Sequence, residues 1–578
     1  MGLCALGVVI VAVWLRCRCL GNVPGVNGDE AWYGVQAVEA LRDGSFWVRT
    51  PTGNPSNPFF LGPLVLLHAW FPPSVVLLRS VAVASGLGAL LVNWLLCRWV
   101  FDRATAAVST VLLAVWPLSI VYSRFAWDAS QSVLATLPVV YLSLATLRFR
   151  ERRWWLLVLA TVVAIGAAAW VHPTNLFAAA TGVAALGLWQ RRAKRARPAP
   201  ARSRRKLVGS GLVLAVALAC AAGAGWALAG QTAGRWLGRA GGFEDLTRRG
   251  GLWHVPALLA RLHTGQTVYR YVPGSESWLA QPGGEGTGRW GFDVVLFWAA
   301  LGTAAAMLWR SGSRVRGQES GVGGQRLGKP RHCVAGAADR ALLAGWALTL
   351  VGFLLVAGPS AMLPGWERYA LCLVAPTTLL LARGAVLAFR AAAPRGEWVL
   401  AAAPLLGLAF LADFQVHYFE FFRETGGRAH ATFHTGPVEP KEAAVRWIAA
   451  QRPPADDHAR SLSEKGSDPL PLRGLTPFRI GIKPSWIVTT EWWNYWPLRY
   501  LAADRPGLRV MTWEEAEQQG GFRTALSEGR VFLVEFSGSP AAERALARAG
   551  ELSPGIDPCR RLVRGYGEVP VLCVLHLR

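Results

Sequence analysis

Long apolar runs separated by short polar segments constrain this chain more than any other feature of its sequence. They recur through residues 1–415, and each approaches the roughly 20 apolar residues that a helix needs to cross a bilayer. The chain of 578 residues is 52% hydrophobic and only 17% charged, with 28 Trp and a mean hydropathy of +0.29. This pattern predicts a polytopic α-helical membrane protein.

The apolar runs predict about eleven spans. The first run is only about 13 residues long before Arg16, shorter than a straight crossing requires, and it lacks the basic start of a signal peptide. The predicted spans lie near Leu3–Leu15, Ser74–Trp99, Ala104–Tyr122, Gln131–Leu147, Trp154–Trp170, Asn175–Trp189, Leu207–Ala229, Gly291–Trp309, Ala341–Ala357, Tyr369–Phe389 and Trp398–Phe414.

The distribution of Lys and Arg predicts which side each loop faces. Alternate loops are rich in these residues, which places them on the cytoplasmic side: 98–103, 148–153, 191–206, 310–340 and 390–395. The outer side then receives the loops 16–73 and 230–290, three short turns near residues 124–128, 172–175 and 366–369, and the C-terminal segment. The net charge of +24 is therefore topogenic, and no aromatic residues alternate with the basic ones as in a nucleic-acid site.

The composition changes after Phe414, which predicts two domains, 1–415 in the membrane and 416–578 outside it. Helical patterns alternate with short apolar strands in the second segment, which indicates a small α/β domain. The predicted elements are an amphipathic helix at Lys441–Ala450, strands at Trp486–Val488, Leu508–Met511 and Val531–Val534, and a mobile loop at Pro453–Pro471. Cys559 and Cys573 are the only cysteine pair of this domain, and their spacing alone does not establish a disulfide.

Asp29 and Glu30 are adjacent acids at a predicted membrane boundary, directly before Ala31, Trp32 and Tyr33. Desolvating a carboxylate costs several kcal/mol unless it is paired, so these acids need a reason to be there. Helix neighbours point about 100° apart, which allows one acid to face a cavity while the other binds a partner. The alternative is that Asp29 only caps the helix that follows, because Asp is a favoured N-cap residue.

Asp128 follows Arg124 by four residues, a spacing at which a helical ion pair forms and contributes only a few tenths of a kcal/mol. The same predicted face also carries Asp29, His172 and Arg368 at span ends. Two carboxylates and several cations together suit a site that activates a hydroxyl and binds a phosphate.

Four short motifs resemble the membrane-embedded C-type glycosyltransferases, in particular protein O-mannosyltransferases and the aminoarabinose transferases that modify lipid A. The Asp-Glu motif of the first outer loop resembles the signature of the superfamily. The other three motifs resemble the approach to its juxtamembrane helix, its second outer loop and a late-helix motif. In chain order the four are Gly28–Tyr33, Asn54–Phe59, Ser123–Ser130 and Glu367–Tyr369.

The resemblance implies an inverting transfer of a monosaccharide from a polyprenyl phosphate to an acceptor hydroxyl at the outer face of the membrane. It implies Asp29 as general base, Glu30 as a residue that positions it, and Asp128 as the second acid of the site. This sequence has no Lys in Asn54–Pro58, where the aminoarabinose transferases have one, so phosphate binding is predicted to fall to other cations, namely Arg124, Arg368 and Arg79.

Several residues keep two interpretations. Arg79 is a phosphate ligand or an interfacial anchor, and His172 binds a sugar hydroxyl or ends a helix. The run Glu491–Trp496 stacks on a sugar ring or packs within its own domain. The expected sugar and acceptor ligands are His172, Asn175, Tyr369 and Tyr33.

No cofactor is expected, and no metal ligand spacing or nucleotide loop is present in the sequence. The expected partners are a polyprenyl-phosphate-linked monosaccharide, a protein, lipid or glycan acceptor, and membrane lipids, with no nucleic acid. The expected location is a bacterial plasma membrane. Two other functions stay open, a transporter or flippase of lipid-linked glycans and an inactive glycan-binding protein.

Overall fold

The computed structural model describes most of the chain. The described residues are 2–46, 48–51, 53, 55–148, 154–195, 254–271, 292–318, 331–363, 366–392, 397–427, 434–451, 484–490, 492–505, 507–518, 521–552 and 559–577.

Sixteen α-helices of this part precede the C-terminal domain. They are α1 Gly2–Cys17, α2 Gly28–Asp43, α3 Pro58–His68, α4 Val75–Val100, α5 Arg103–Val115, α6 Pro117–Tyr122, α7 Ser132–Arg148, α8 Trp154–Val171, α9 Ala180–Arg195, α10 Val255–Thr264, α11 Gln266–Tyr271, α12 Phe292–Gln318, α13 Arg331–Val356, α14 Val374–Ala392, α15 Glu397–Phe414 and α16 Phe421–Glu424. Short 3₁₀ segments lie at Asp128–Gln131, Pro173–Ala179, Pro359–Met362 and Glu367–Leu373, and a π-helical turn lies at Gln415–Glu420.

Seven helical stretches within the described residues are long and apolar enough to cross a membrane, and each coincides with a predicted span. The predicted first span is a helix of 16 residues, and the span predicted at Leu207–Ala229 lies outside the described residues. A multi-pass helical membrane protein is therefore confirmed, whereas the number of eleven spans stays a prediction. The seven stretches are Val75–Val100, Asp128–Leu147, Trp154–Val171, Phe292–Ser311, Gly336–Val356, Glu367–Ala392 and Pro404–Glu424.

The span predicted at Ala104–Tyr122 is interrupted between α5 and α6. Trp116 is extended, with φ −67° and ψ 120°, and Pro117 begins α6. Proline lacks the N–H that would continue the helix and disfavours helical geometry in the residue before it. The interruption brings the short segment 117–128 to the outer end of the bundle, where the candidate site is built.

Polar side chains join the helices within the apolar bundle. Asn93 of α4 donates to Ser109 Oγ at 3.1 Å and Thr110 Oγ1 at 3.0 Å, both on α5. Its Oδ1 accepts from the Tyr141 hydroxyl of α7 at 2.7 Å. Such bonds hold helices together where lipid provides no hydrophobic drive for their association.

An ion-pair cluster joins three helix ends on the side predicted to be cytoplasmic. Arg383 binds Asp339 at 2.8 Å and Asp102 at 2.9 Å, and Asp102 also binds Arg390 at 3.1 Å. The positive-inside pattern had assigned the loops beside these residues to one side, and the structure brings their charged groups together.

The C-terminal domain is an α/β unit around a five-stranded sheet of order β2-β1-β3-β5-β4. Strands β1, β2 and β3 are parallel and match the three predicted strands, whereas β4 and β5 form an antiparallel pair that the sequence analysis missed. The elements are α17 Pro440–Ala450, β1 Ser485–Thr489, α18 Trp492–Leu501, β2 Leu508–Thr512, α19 Trp513–Gln518, α20 Gly521–Glu528, β3 Arg530–Phe536, α21 Pro540–Leu552, β4 Cys559–Arg564 and β5 Pro570–Leu577.

The predicted helix at 441–450 is confirmed, and the predicted loop Pro453–Pro471 lies outside the described residues. Cys573 is buried and lies opposite Leu562, and Cys559 lies opposite His576. The two cysteines are therefore three positions out of register, about 10 Å along the strand, and do not form a disulfide.

The C-terminal domain packs directly on the first outer loop. Apolar residues of α2, α3, α18 and the sheet share one core, which includes Tyr33, Phe60, Leu498 and Phe532. The buried Lys441 ammonium donates to the Val26 carbonyl at 2.9 Å. Because the two parts share a core, α18 keeps a fixed position beside α2.

Candidate functional site

The first turn of α2 determines which of the two adjacent acids is available for chemistry. Asn27, rather than Asp29, is the N-cap: its Oδ1 accepts from the Glu30 N–H at 2.9 Å, and the Glu30 carboxylate accepts from the Asn27 N–H at 3.4 Å. This reciprocal capping box satisfies two N–H groups at the helix start. The interpretation of Asp29 as the helix cap is therefore wrong.

Glu30 is fully buried and paired. Its two oxygens accept from Arg79 Nε and Nη2, both at 2.8 Å, and from the Ala126 N–H at 3.0 Å. Glu30 therefore joins α2, α4 and the segment after α6. It supports the site from behind and does not reach an acceptor, as expected of a residue that positions Asp29.

Arg79 is also fully buried, and all five of its N–H donors have partners. Besides Glu30, they bind the carbonyl oxygens of Leu20 at 2.9 Å, Pro24 at 2.8 Å and Gly25 at 3.3 Å. A guanidinium with five satisfied donors in a closed environment has none left for a phosphate. The prediction that Arg79 binds the donor phosphate, and the alternative of an interfacial anchor, are both wrong.

Arg124 has a similar structural role. It is fully buried, and it donates to the carbonyls of Leu15 at 2.6 Å, Arg16 at 3.1 Å and Val23 at 2.6 Å. It thus holds the end of α1 instead of pairing with Asp128 or facing a phosphate, which corrects both predictions for this residue.

Asp29 and Arg368 form the accessible centre of the site. Arg368 Nη1 donates to Asp29 Oδ2 at 3.3 Å, and the side chains are 27% and 35% exposed respectively. The guanidinium carbon lies 5.3 Å from the ring centre of Trp127 and 5.2 Å from that of Tyr369. The two aromatic rings hold a cation in place without using up its hydrogen-bond donors.

Asp128 and Tyr33 lie beside this pair. Asp128 begins a 3₁₀ segment, and its Oδ1 accepts from the Ala129 N–H at 2.7 Å. Burial, with the nearby carboxylates of Asp128 and Asp29, raises the pKa of Tyr33 well above its usual range. Tyr33 is therefore a neutral phenol between two acids, able to donate a hydrogen bond but unable to act as a base.

The pKa of Asp29 reflects opposing influences. Burial raises it above its ordinary value and the carboxylate of Asp128 adds to this, whereas Arg368 and a hydrogen bond from Trp492 lower it. The net shift is upward. A carboxylate with a raised pKa is a stronger base in its ionised form.

His172 and Asn175 lie just after the end of α8. His172 caps the 3₁₀ segment 173–179, with Nδ1 2.7 Å from Thr174 Oγ1, and its ring centre lies 5.4 Å from that of Tyr369. Burial, reinforced by Arg368, lowers the pKa of His172 to about 3, so its imidazole is neutral. The helix-end interpretation is the one that the structure realises.

Asn175 is 1% exposed and donates to Ser132 Oγ at 3.1 Å and the Ala168 carbonyl at 3.0 Å. It joins helices instead of facing the site, which corrects its prediction as a sugar ligand. Tyr369, by contrast, is half-buried and stacks on the exposed ring of Trp366 with centroids 5.8 Å apart, so it forms an aromatic wall beside Arg368.

Trp492 is the residue of the run Glu491–Trp496 that the structure places beside Asp29, a contact that neither interpretation of the run predicted. It begins α18, and its indole Nε1 lies against Gly28 on the first turn of α2, beside Asp29, where hydrogen bonding from its N–H lowers the pKa of the Asp29 carboxyl. Its aromatic residues mark the run 491–496 as a candidate for stacking on a sugar ring. Nothing in the sequence indicates that Trp492 lies beside Asp29, which is 463 positions earlier in the chain.

Comparisons with known proteins give fold likeness only. No protein-family model and no curated protein sequence matches the chain. It is similar to the crystal structure of the Archaeoglobus fulgidus oligosaccharyltransferase with Zn and sulfate, with 16% identity and a TM-score of 0.44 over 92% of this chain and 68% of that one.

It is also similar to ArnT from Cupriavidus metallidurans, with 16% identity and a TM-score of 0.44 in the apo state, and 14% and 0.41 bound to undecaprenyl phosphate. Both comparisons cover 99% of this chain and 97% of ArnT. These structural neighbours are membrane-embedded C-type glycosyltransferases, the superfamily that the sequence motifs resemble.

Proposed function

We propose that this protein is a glycosyltransferase that moves a monosaccharide from a polyprenyl phosphate to an acceptor hydroxyl at the outer face of a bacterial plasma membrane. The observation that carries the proposal is the accessible pair of Asp29 and Arg368 at the end of the helical bundle. The pair combines a carboxylate of raised pKa with a cation held between two aromatic rings.

In the proposed reaction, Asp29 removes the proton of the acceptor hydroxyl as its oxygen attacks the anomeric carbon. The bond from that carbon to the phosphate oxygen breaks, and the lipid phosphate leaves with the bonding electrons. Attack opposite the leaving group inverts the anomeric configuration. Arg368 stabilises the charge on the departing phosphate, so the leaving group needs no proton.

The neighbours of the pair take supporting roles in this proposal. Asp128 and Tyr33 bind acceptor or sugar hydroxyls next to the base, and Tyr369 provides an aromatic face for the sugar ring. No cofactor is part of the proposed reaction, because Arg368 supplies the positive charge that the phosphate requires.

The proposed topology has about eleven spans. Residues 1–415 form the membrane domain, and 416–578 form an extracytoplasmic domain. The contacts of Asp29 with Arg368 and Trp492 support this arrangement, because they put the first loop, the turn at 366–369 and the C-terminal domain on the same side. The ion pairs of Asp102, Arg383 and Asp339 lie on the side that we assign to the cytoplasm.

The test supplies wild-type protein in membranes with a panel of radiolabelled polyprenyl-phosphate monosaccharides and measures transfer to an acceptor or to water, with and without a metal chelator. Consumption of one donor with release of the free lipid phosphate supports the proposal. Export or flipping of the intact labelled lipid without cleavage would instead indicate a flippase.

Replacing Arg368 with Gln is expected to lower kcat/KM for the donor by roughly tenfold to a hundredfold, because a charge-assisted contact to the leaving phosphate is lost. The change also removes the cation that lowers the pKa of Asp29, so the acid limb of the pH profile should move upward. Steady-state kinetics against pH measure both effects.

The matched control for this variant is Arg446→Gln, which removes an exposed guanidinium of the C-terminal domain. It should leave kcat/KM for the donor and the acid limb of the pH profile unchanged. A normal donor kcat/KM in Arg368→Gln would contradict the phosphate role of Arg368.

A further inference from the structure

Helices α2 and α18 contact each other most closely at two glycines. A Cβ at Gly28 would lie 2.7 Å from Cδ1 and Nε1 of Trp492, and a Cβ at Gly34 would lie 2.5 Å from the ring of Tyr500. Real Cβ atoms do not approach other atoms so closely, so both positions need glycine. The N–H edge of Trp492 is thereby seated on the first turn of α2.

The indole ring has a further contact within α18. Trp492 packs edge to face with Trp496, with ring centres 5.3 Å apart and planes at 67°. Farther along the helices, Arg499 of α18 forms an ion pair with Glu39 of α2, and Arg42 donates to the Ala503 carbonyl at 2.9 Å. The position of the indole is therefore determined by the docking of the whole helix.

Charged and titratable groups from three segments face Asp29: Arg368 from the 3₁₀ segment 367–373, Asp128 from the 3₁₀ segment 128–131, and Tyr33 from α2 itself. Trp492 is the group that the C-terminal domain adds, and it is an uncharged N–H donor. With Arg368 on Oδ2, this donor is the second group that favours the ionised form of Asp29.

We propose that Trp492 is a positioning residue, whose indole N–H holds the Asp29 carboxylate so that the C-terminal domain completes the catalytic base. This inference rests on the proposed function, in which Asp29 is the base. An N–H donated to a carboxylate favours its ionised form and limits the orientations of its oxygens. The C-terminal domain must then be docked on α2 for the Asp29 carboxylate to keep the orientation that proton transfer requires.

The test compares the full-length wild type with Trp492→Phe, which keeps an aromatic ring on Gly28 but removes the N–H. Loss of this donor raises the pKa of Asp29, so the acid limb of kcat/KM should move up by about one pH unit, with a tenfold lower rate below the limb. The matched control is Trp513→Phe, which removes an indole N–H of the C-terminal domain that donates to Glu517 and not to Asp29.

A second variant reaches the same contact from the other side. Gly28→Ala places a methyl group where the indole lies, although alanine itself favours a helix. It should reproduce the shift of Trp492→Phe, so a folding defect in one variant leaves the other to decide.

A readout independent of turnover separates this inference from the proposed function. A water-soluble carbodiimide reacts with protonated carboxyl groups, and mass spectrometry of Asp29 labelling against pH reports its pKa in each protein. An upward shift in Trp492→Phe and Gly28→Ala alone supports the inference even if no donor is consumed. An unchanged Asp29 profile, or an equal shift in Trp513→Phe, overturns it even if sugar transfer is found.

Discussion

Asp29→Asn is expected to lower kcat for sugar transfer by roughly a hundredfold or more, because an amide cannot accept the proton of the acceptor hydroxyl. The substitution keeps the size of the side chain and one oxygen for Arg368 and Trp492. Helix α2 keeps its cap, because Asn27 and Glu30 form it. The loss is therefore expected at constant protein abundance, and with little change in KM for the donor.

The pH dependence follows from the same residue. Asp29 must be ionised to act as a base, and its folded pKa lies above the ordinary value, chiefly through burial. Wild-type activity should accordingly fall as the pH drops through that raised pKa, and this limb should be missing from any residual activity of Asp29→Asn. Rates of label transfer across a pH series measure the acid limb of the wild type and its absence in Asp29→Asn.

Asp43→Asn is the matched control, since Asp43 is an exposed acid at the other end of the same helix. It should transfer sugar like wild type. Equal activity of Asp29→Asn and wild type would remove Asp29 from the mechanism and return the transporter and glycan-binding interpretations to first place.

Arg79→Met should be the most destabilising change, at about 3–5 kcal/mol, because it leaves the Glu30 carboxylate buried without its partner. It also frees the carbonyls of Leu20, Pro24 and Gly25, which the guanidinium satisfies in the wild type. The expected result is a large fall in the thermal midpoint and in protein abundance, measured by fluorescence-detected size-exclusion chromatography after heating.

A double variant distinguishes a lost ion pair from a lost ligand contact. Glu30→Gln combined with Arg79→Met removes the uncompensated charge and should recover part of the stability that Arg79→Met loses. Arg446→Met, on the surface, should have little effect on stability. Normal stability of Arg79→Met together with a raised donor KM would show instead that Arg79 binds phosphate.

Elements that depend on local pattern were predicted well. Val75–Val100 and Trp154–Val171 were recognisable as predominantly apolar stretches of about 20 residues, because each side chain transfers to lipid largely by itself. The three parallel strands were found for a similar reason, as short apolar runs between helical patterns. The pair β4 and β5 was missed, because Arg560 and Arg561 break the apolar pattern of the edge strand β4.

The sequence by itself determined a multi-pass helical protein with a C-terminal α/β domain, and it singled out Asp29 and Arg368 as chemically significant. Only the tertiary structure decided that Asp29 is open while Glu30 is paired, that Arg79 and Arg124 are buried and bind backbone carbonyls, and that Trp492 joins the site. The physical reason is that hydropathy belongs to each residue, whereas the availability of a charge depends on which distant groups already satisfy it.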